Sequence, residues 1–301
     1  MEPFDVVIVP PHARREDETL GTKFKFWYFD ENDEKILFKR GRANEDWSEK
    51  IAAELAHRIG IPAADVELAE LEGTWGIVSP SFLAPGEHLF HGNELLMGLY
   101  HDYPQEERYH VGQHTVPAVM EALVHFEAGP TVVDTPPIEP WTAPDQMVGY
   151  VMLDALIGNT DRHHENWAVT MRSSAPALAP TYDHASSLGR NEPERRARLR
   201  VEGGDPRVTV ESYVERARSA FYASRAATKP LTTLEAFMAA VSARPEAARA
   251  WWARLATVTE ADVRDLFERL PEERISPVHR ELAVRMVLVN QRRIGEIVAA
   301  W

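Results

Sequence analysis

One short run limits this chain more than any other. An apolar-periodic segment ends at Ile157-Gly158, and the polar loop NTDRHHEN (159–166) follows before a strand-like piece, WAVT (167–170). A second strand-like piece, ALAPTY (177–182), then delivers Asp183. Helix, polar loop, strand, turn, strand and carboxylate is an order that suits phosphoryl transfer, which asks for few protein groups but fixes their roles. One carboxylate must face the attacking hydroxyl, and an amide and a second carboxylate must hold divalent metal against the phosphates. Asp161, Asn166 five residues on, and Asp183 at the end of a short hairpin meet that order. An Asp-x4-Asn spacing alone is common among polar residues that cap turns. Backed by a hairpin and Tyr182-Asp183-His184, it is far more specific. Mg2+ prefers oxygen ligands and keeps waters, so one carboxylate, one amide and the ATP phosphates suffice as its shell.

Composition narrows the alternatives. The chain has 301 residues, enough for two lobes with a core each. With 33 Lys+Arg against 47 Asp+Glu, the formal charge is -14, which disfavours bulk binding to a phosphate backbone. There are no cysteines, which excludes disulfides and thiolate metal sites. The N-terminus lacks the basic lead-in and small-residue cleavage site of a signal peptide. No stretch approaches the ~18 consecutive apolar residues of a membrane span. The expectation is a soluble, cytoplasmic protein.

Periodicity divides the chain. Residues 4–9 read as a strand, followed by a charged Pro-Pro loop; 23–29 (KFKFWYF) and 36–41 (ILFKRG) read as a hairpin across DENDE. Trp47, Ile51, Leu55 and Ile59 recur as a helix stripe that Gly60 stops. Segments 65–71 and 75–79 suggest two more strands meeting at Glu72-Gly73. The first 90 residues thus predict a small sheet-plus-helix lobe, and residues 91–301 a mainly helical one, with helices over 114–128 and 145–157 and several over 233–301. The Pro-rich stretch 129–144 reads as a surface connection, and the charged stretch 190–207 as a mobile segment with a solvated run at 192–198. The eight Trp residues read mostly as core.

The loop resembles that of the HipA-like serine/threonine kinases, and its Asp-Arg-His-x-x-Asn core is also similar to that of the phosphoinositide lipid kinases. The resemblance implies an α+β, bilobal protein-kinase-like fold that uses ATP and Mg2+. Asp161 falls on the catalytic base, Asn166 and Asp183 on the metal-binding residues, and His163 on a residue that helps build the catalytic loop. The Asp-Phe-Gly position reads Asp183-His184-Ala185, without its glycine. In the N-terminal lobe Lys39 stands where the phosphate-bracing lysine belongs, and Gly21 with Lys25 matches the Gly-x-x-x-Lys loop over the phosphates. The helix offers Glu49 and Glu54 as partners for Lys39. Family spacing from Gly60 selects Glu49, whereas Glu54 borders the apolar stripe. Phe82 marks the linker expected to meet adenine. Family members often carry a regulatory phosphorylation in the phosphate loop; Thr19 and Thr22, which otherwise read as turn residues, flank Gly21 here. The resemblance runs from about Leu20 onward and does not cover the extra N-terminal subdomain of full-length HipA proteins. It implies a protein Ser/Thr acceptor and a toxin–antitoxin-like regulatory partner.

Other classes fit less well. His163, His164 and His184 lie near carboxylates, but adjacent loop histidines do not easily face one ion, and no His-x3-His helix occurs. No Gly-x4-Gly-Lys-Ser/Thr is present, which excludes a P-loop enzyme. A small-molecule or lipid-headgroup kinase and a nucleotide-binding pseudokinase-like module stay open as alternatives.

Overall fold

In the computed structural model the described residues are 2–13, 15–17, 24–42, 44–131, 133, 136–139, 141–171, 175–203 and 205–301. The N-terminal part is a sheet with one helix. Its strands are β1 (Val6–Ile8), β2 (Arg15–Asp17), β3 (Lys25–Phe29), β4 (Lys35–Arg40), β5 (Glu67–Leu71) and β6 (Thr74–Pro80), in spatial order β1-β5-β6-β4-β3-β2. The helix α1 (Glu45–Ile59) lies between β4 and β5 in sequence. Alternation in β3 buries Phe26 and Tyr28, which pack with Phe38 of β4 in a small aromatic core. The β5–β6 hairpin closes on Glu72-Gly73, both at positive φ (48° and 78°), as a two-residue turn of matching twist requires. Gly60 ends α1 in the left-handed conformation, its N–H reaching the last turn.

The charged stretch after Pro10-Pro11, expected to be loop throughout, contains β2. It pairs antiparallel with β3 and forms one edge of the sheet, where polar residues are tolerated because one side faces solvent.

The remaining chain forms β7 (His88–His91), α2 (Gly92–Leu99), α3 (Val116–His125), α4 (Ala143–Ile157), β8 (Ala168–Met171), β9 (Pro176–Leu178), α5 (Glu194–Glu202), α6 (Val210–Val214), β10 (Arg218–Tyr222), β11 (Pro230–Thr232), α7 (Thr233–Ala243), α8 (Pro245–Leu255), α9 (Glu260–Glu268) and α10 (Pro277–Ala299). Helix α4 is its axle. It starts on the Thr142 cap, has proline in its first turn, ends at left-handed Gly158, and is buried along its whole length, packed by α3, α7, α8 and α10. A helix apolar on all sides belongs at the centre of a core. The strands β7, β8 and β9 form a small antiparallel sheet beside it.

Two expectations change here. The stretch 190–207 is not loop throughout: α5 occupies part of it, pinned by buried Ala197 and by Arg200, whose Nε donates to Glu192 Oε1 at 2.7 Å. Its outer face is charged, so the periodic signal was one alanine and one arginine wide. Trp47, Trp167 and Trp251 are core, but Trp75 is 39% exposed and stacked under Arg274. No described helix is long and apolar enough to cross a membrane.

Candidate active site

A cleft of about 450 Å³ lies between the six-stranded sheet and the helical part. Leu37, Val66 and Ile77 line it from the sheet side, and Leu89 and Tyr182 from the other. Phe82, in the segment that leaves β6, stacks on Tyr182 with ring centres 6.0 Å apart. The Tyr182 hydroxyl donates to Glu165 O at 2.8 Å and lies 3.1 Å from His91 Nδ1, so this apolar wall is tied to the polar loop.

The polar end gathers groups from distant parts of the chain. Lys39 Nζ, from β4, lies 2.9 Å from Glu49 Oε2 of α1 and 2.5 Å from Asp183 Oδ1. Burial opposes the lysine's charge, but Asp183 and Glu49 outweigh it and raise its pKa above the ordinary value. Glu54 instead meets Lys50 at 2.7 Å. The apolar stripe of α1 misleads here because the helix is buried on almost every side. Its Trp47 packs on Phe267 of the helical part, while Glu49 faces the cleft. Lys25 pairs in register with Lys39 on the neighbouring strand and lines the same cleft. Gly21, Thr19 and Thr22 lie outside the described residues.

The polar loop is held by a buried scaffold. Arg162, with no exposed surface, donates through Nε and Nη2 to both carboxylate oxygens of Asp154 on α4, each at 2.8 Å, and through Nη1 to Asn166 O at 2.7 Å. Asn159 Nδ2 joins the same carboxylate at 2.8 Å, and Asn159 Oδ1 accepts from Asp161 N at 3.1 Å. Asn166 Nδ2 donates to Asp161 O at 2.6 Å, closing the loop on itself. Asp161 and Asn166 both line the cleft. Asp183 takes a positive φ of 57°, a conformation Asp tolerates better than most residues. The turn aims its carboxylate at Lys39.

The three histidines do not converge. His163 Nε2 accepts from Arg108 Nε at 2.9 Å, His164 Nδ1 meets Tyr103 Oη at 2.9 Å, and His184 Nε2 meets Thr181 Oγ1 at 2.8 Å. Burial, with Arg108 adding to it, pushes the His163 pKa down to about 3. Among the described residues no group of three or more His, Asp or Glu side chains could hold a metal ion by itself. A shell of Asp183 and Asn166 completed by phosphate oxygens needs no such group.

Several residues of the site escaped sequence reasoning. Asp154, under the polar loop, was signalled only by being a carboxylate late in a mainly apolar helix. Arg108 and Arg190 reach the cleft from loops that carry no recognisable pattern; Arg190 Nη1 pairs with Glu45 at 2.9 Å.

A sheet-plus-helix part, a helical part and a cleft between them define a bilobal protein-kinase-like fold. The chain belongs to the HipA-like C-terminal domain family, which it matches over residues 18–262. Its fold is similar to that of the Helicobacter pylori proinflammatory kinase CtkA, with a TM-score of 0.75 at 15% identity, over 98% of this chain and 97% of that one. It is also similar to HipA from Shewanella oneidensis MR-1, solved with HipB and operator DNA, with a TM-score of 0.55 at 12% identity, over 93% of this chain and 65% of that one. No curated protein matches it in sequence.

Proposed function

We propose that this protein is a Mg-ATP-dependent kinase that phosphorylates a Ser or Thr hydroxyl on another protein. The carrying observation is the meeting of Lys39, Glu49 and Asp183 within hydrogen-bond distance in the cleft that Asp161 and Asn166 also line. Bound Mg-ATP supplies the phosphoryl group and neutralises its developing charge. Lys39, steered by Glu49, binds phosphate oxygens. Asp183 offers its carboxylate to the cation. Asn166 offers Oδ1, because its Nδ2 is engaged by Asp161 O. Asp161 orients the acceptor hydroxyl and takes its proton. His163 positions the loop and, neutral at physiological pH, adds no charge beside Asp161. Phe82 and Tyr182 form the apolar wall for the base, and Lys25 reaches the phosphate side from β3.

The two lobes are proposed to be residues 1–90 and 91–301. The short strand β7 spans that boundary, and its pairing with β8 draws His88–His91 towards the second lobe. The acidic net charge supports a protein acceptor over nucleic acid, and the likeness to a HipA solved with HipB supports a regulatory protein partner in the cytoplasm.

The test is γ-phosphate transfer from ATP into the protein's own cell lysate, with Asp161→Ala as control. Transfer that persists in the variant, or none with wild type, sinks the assignment. A melting-temperature rise with Mg-ATP that chelator largely abolishes is expected alongside, since a ligand of the native state stabilises it by mass action. An equal rise with and without metal would speak against this site.

A further inference from the structure

Ser48 directly precedes Glu49 on α1 and has no exposed surface. Alanine would serve the helix better there and would bury no hydroxyl, so the helix by itself does not account for a serine. Among the described residues, every partner that its Oγ reaches lies across the chain: Ser187 O at 3.1 Å, Ala185 O at 3.3 Å and Ser187 Oγ at 3.0 Å. Whichever of these takes its one proton, the bond ties α1 to the segment that starts at Asp183.

That segment is bent and mostly buried. Asp183, Leu188 and Gly189 all take positive φ (57°, 54° and 68°), and Leu188 is a buried leucine in a conformation that suits glycine. Such backbone persists where its surroundings over-determine it. Ser187 Oγ donates to His184 O at 2.8 Å inside the turn, and Leu188 N donates to Ile157 O at 2.8 Å at the end of α4. Ser186 O accepts from Thr160 N at 3.1 Å, directly before Asp161. One short segment thus carries Asp183 at its start, meets Ser48 at its middle and holds the approach to Asp161 on its other side.

Glu49 is linked to Asp183 through Lys39. In the proposed reaction that link opens, because phosphate takes Lys39 and a cation takes Asp183. The Ser48 contact involves neither group and stays closed. We propose that Ser48 is a positioning residue: its hydroxyl holds α1 to the 184–187 turn and keeps Glu49, Asp183 and Asp161 in register once Mg-ATP has parted Lys39 from Asp183. The proposal rests on the kinase reading above. A neutral hydroxyl suits the place, since a charged tie would compete for the cation or the phosphates.

The test compares wild type, Ser48→Ala and Ile59→Val. Ile59 is buried at the other end of α1, so its lost methylene destabilises by packing alone. Without nucleotide, amide hydrogen exchange over residues 184–190 is expected to be about tenfold faster in Ser48→Ala and unchanged in Ile59→Val. At saturating Mg-ATP, and at a temperature where all three are folded, γ-phosphate transfer should fall at least about tenfold in Ser48→Ala and hold at the wild-type rate in Ile59→Val. If Ser48→Ala does not fold, Ser187→Ala removes the hydroxyl on the turn side and carries the same measurements with the same expectations. Unchanged exchange over 184–190 overturns the proposal whatever the transfer assay gives. A lower melting temperature with undiminished transfer also overturns it, and would make the hydroxyl a packing group. Faster exchange over 184–190 with no transfer by wild type keeps the fastening and sinks the kinase reading.

Discussion

At the residue scale the informative group is Lys39, held between Glu49 and Asp183. In the proposed reaction Asp183 must turn to a cation and Lys39 to phosphate, so the 2.5 Å contact joins two groups that nucleotide and metal draw apart. Asp161 and Asp183 sit on loop and turn, where substitution removes little packing. Asp161→Asn is therefore expected to bind Mg-ATP normally and to lose at least about 100-fold in turnover, ~2.7 kcal/mol in the barrier. Asp183→Asn should lose the metal-dependent part of nucleotide binding. Isothermal titration with and without Mg2+, beside transfer rates, separates the two roles. Turnover above about a tenth of wild type in both variants would show the roles to be misassigned.

At the scale of elements, the polar loop has its shape because α4 lends it a carboxylate. Asp154 is buried in a mainly apolar helix and is bound by Arg162 through two nitrogens and by Asn159. Removing one partner of such a pair leaves an uncompensated buried charge, which costs about 3–5 kcal/mol. Asp154→Ala should lower Tm by on the order of 10 °C. It should also release Asp161 and Asn166 from register, so that transfer fails at temperatures where circular dichroism still reports a folded chain. A variant with full activity and an unchanged Tm would mean that the loop holds itself.

At the scale of the molecule, the lobes are fastened behind the cleft as well as across it. Arg274, after α9, donates to Asp46 of α1 at 2.8 Å and to Ala69 O of β5 at 3.2 Å, and stacks on Trp75. A guanidinium that satisfies a helix and a sheet at once fixes the angle between them from the rear. Arg274→Ala should strand Asp46 and destabilise the protein by about 3–5 kcal/mol, read as a lower denaturant midpoint. The histidines give the whole fold a pH signature. Burial, the leading cause in each, pushes His114 and His163 down to about 3, His164 to about 4, and His184 well below its ordinary value. Above about pH 8 both folded and unfolded chains hold these rings neutral, and they add no pH dependence. As pH falls from there towards 4, the unfolded chain takes up protons that the folded one refuses, so stability drops and then levels off below the folded values. Urea midpoints should fall between pH 7 and pH 5, and His164→Gln should show a shallower slope. A flat profile over that window would mean that these rings titrate normally in the fold.

The sequence by itself determined the elements whose pattern is local and the order in which the chemistry arrives. Alternation announced β3, a four-residue stripe and Gly60 announced α1, Glu72-Gly73 announced its hairpin, and the run from Gly158 to Asp183 announced a helix, loop and hairpin. Each is written within one or two turns of chain, where period and turn residues act directly. The tertiary structure decided what lies across the chain. It brought Lys39 to a carboxylate 144 positions away, chose Glu49 over Glu54 by burying α1 on almost all sides, and made β2 a strand because β3 offered it an edge. It gave Asp154 its place under the polar loop and set Ser48 against the turn that follows Asp183. None of these has a sequence period, because each is a long-range meeting of single polar groups. Such groups are fixed by what remains to be satisfied once the apolar faces have packed.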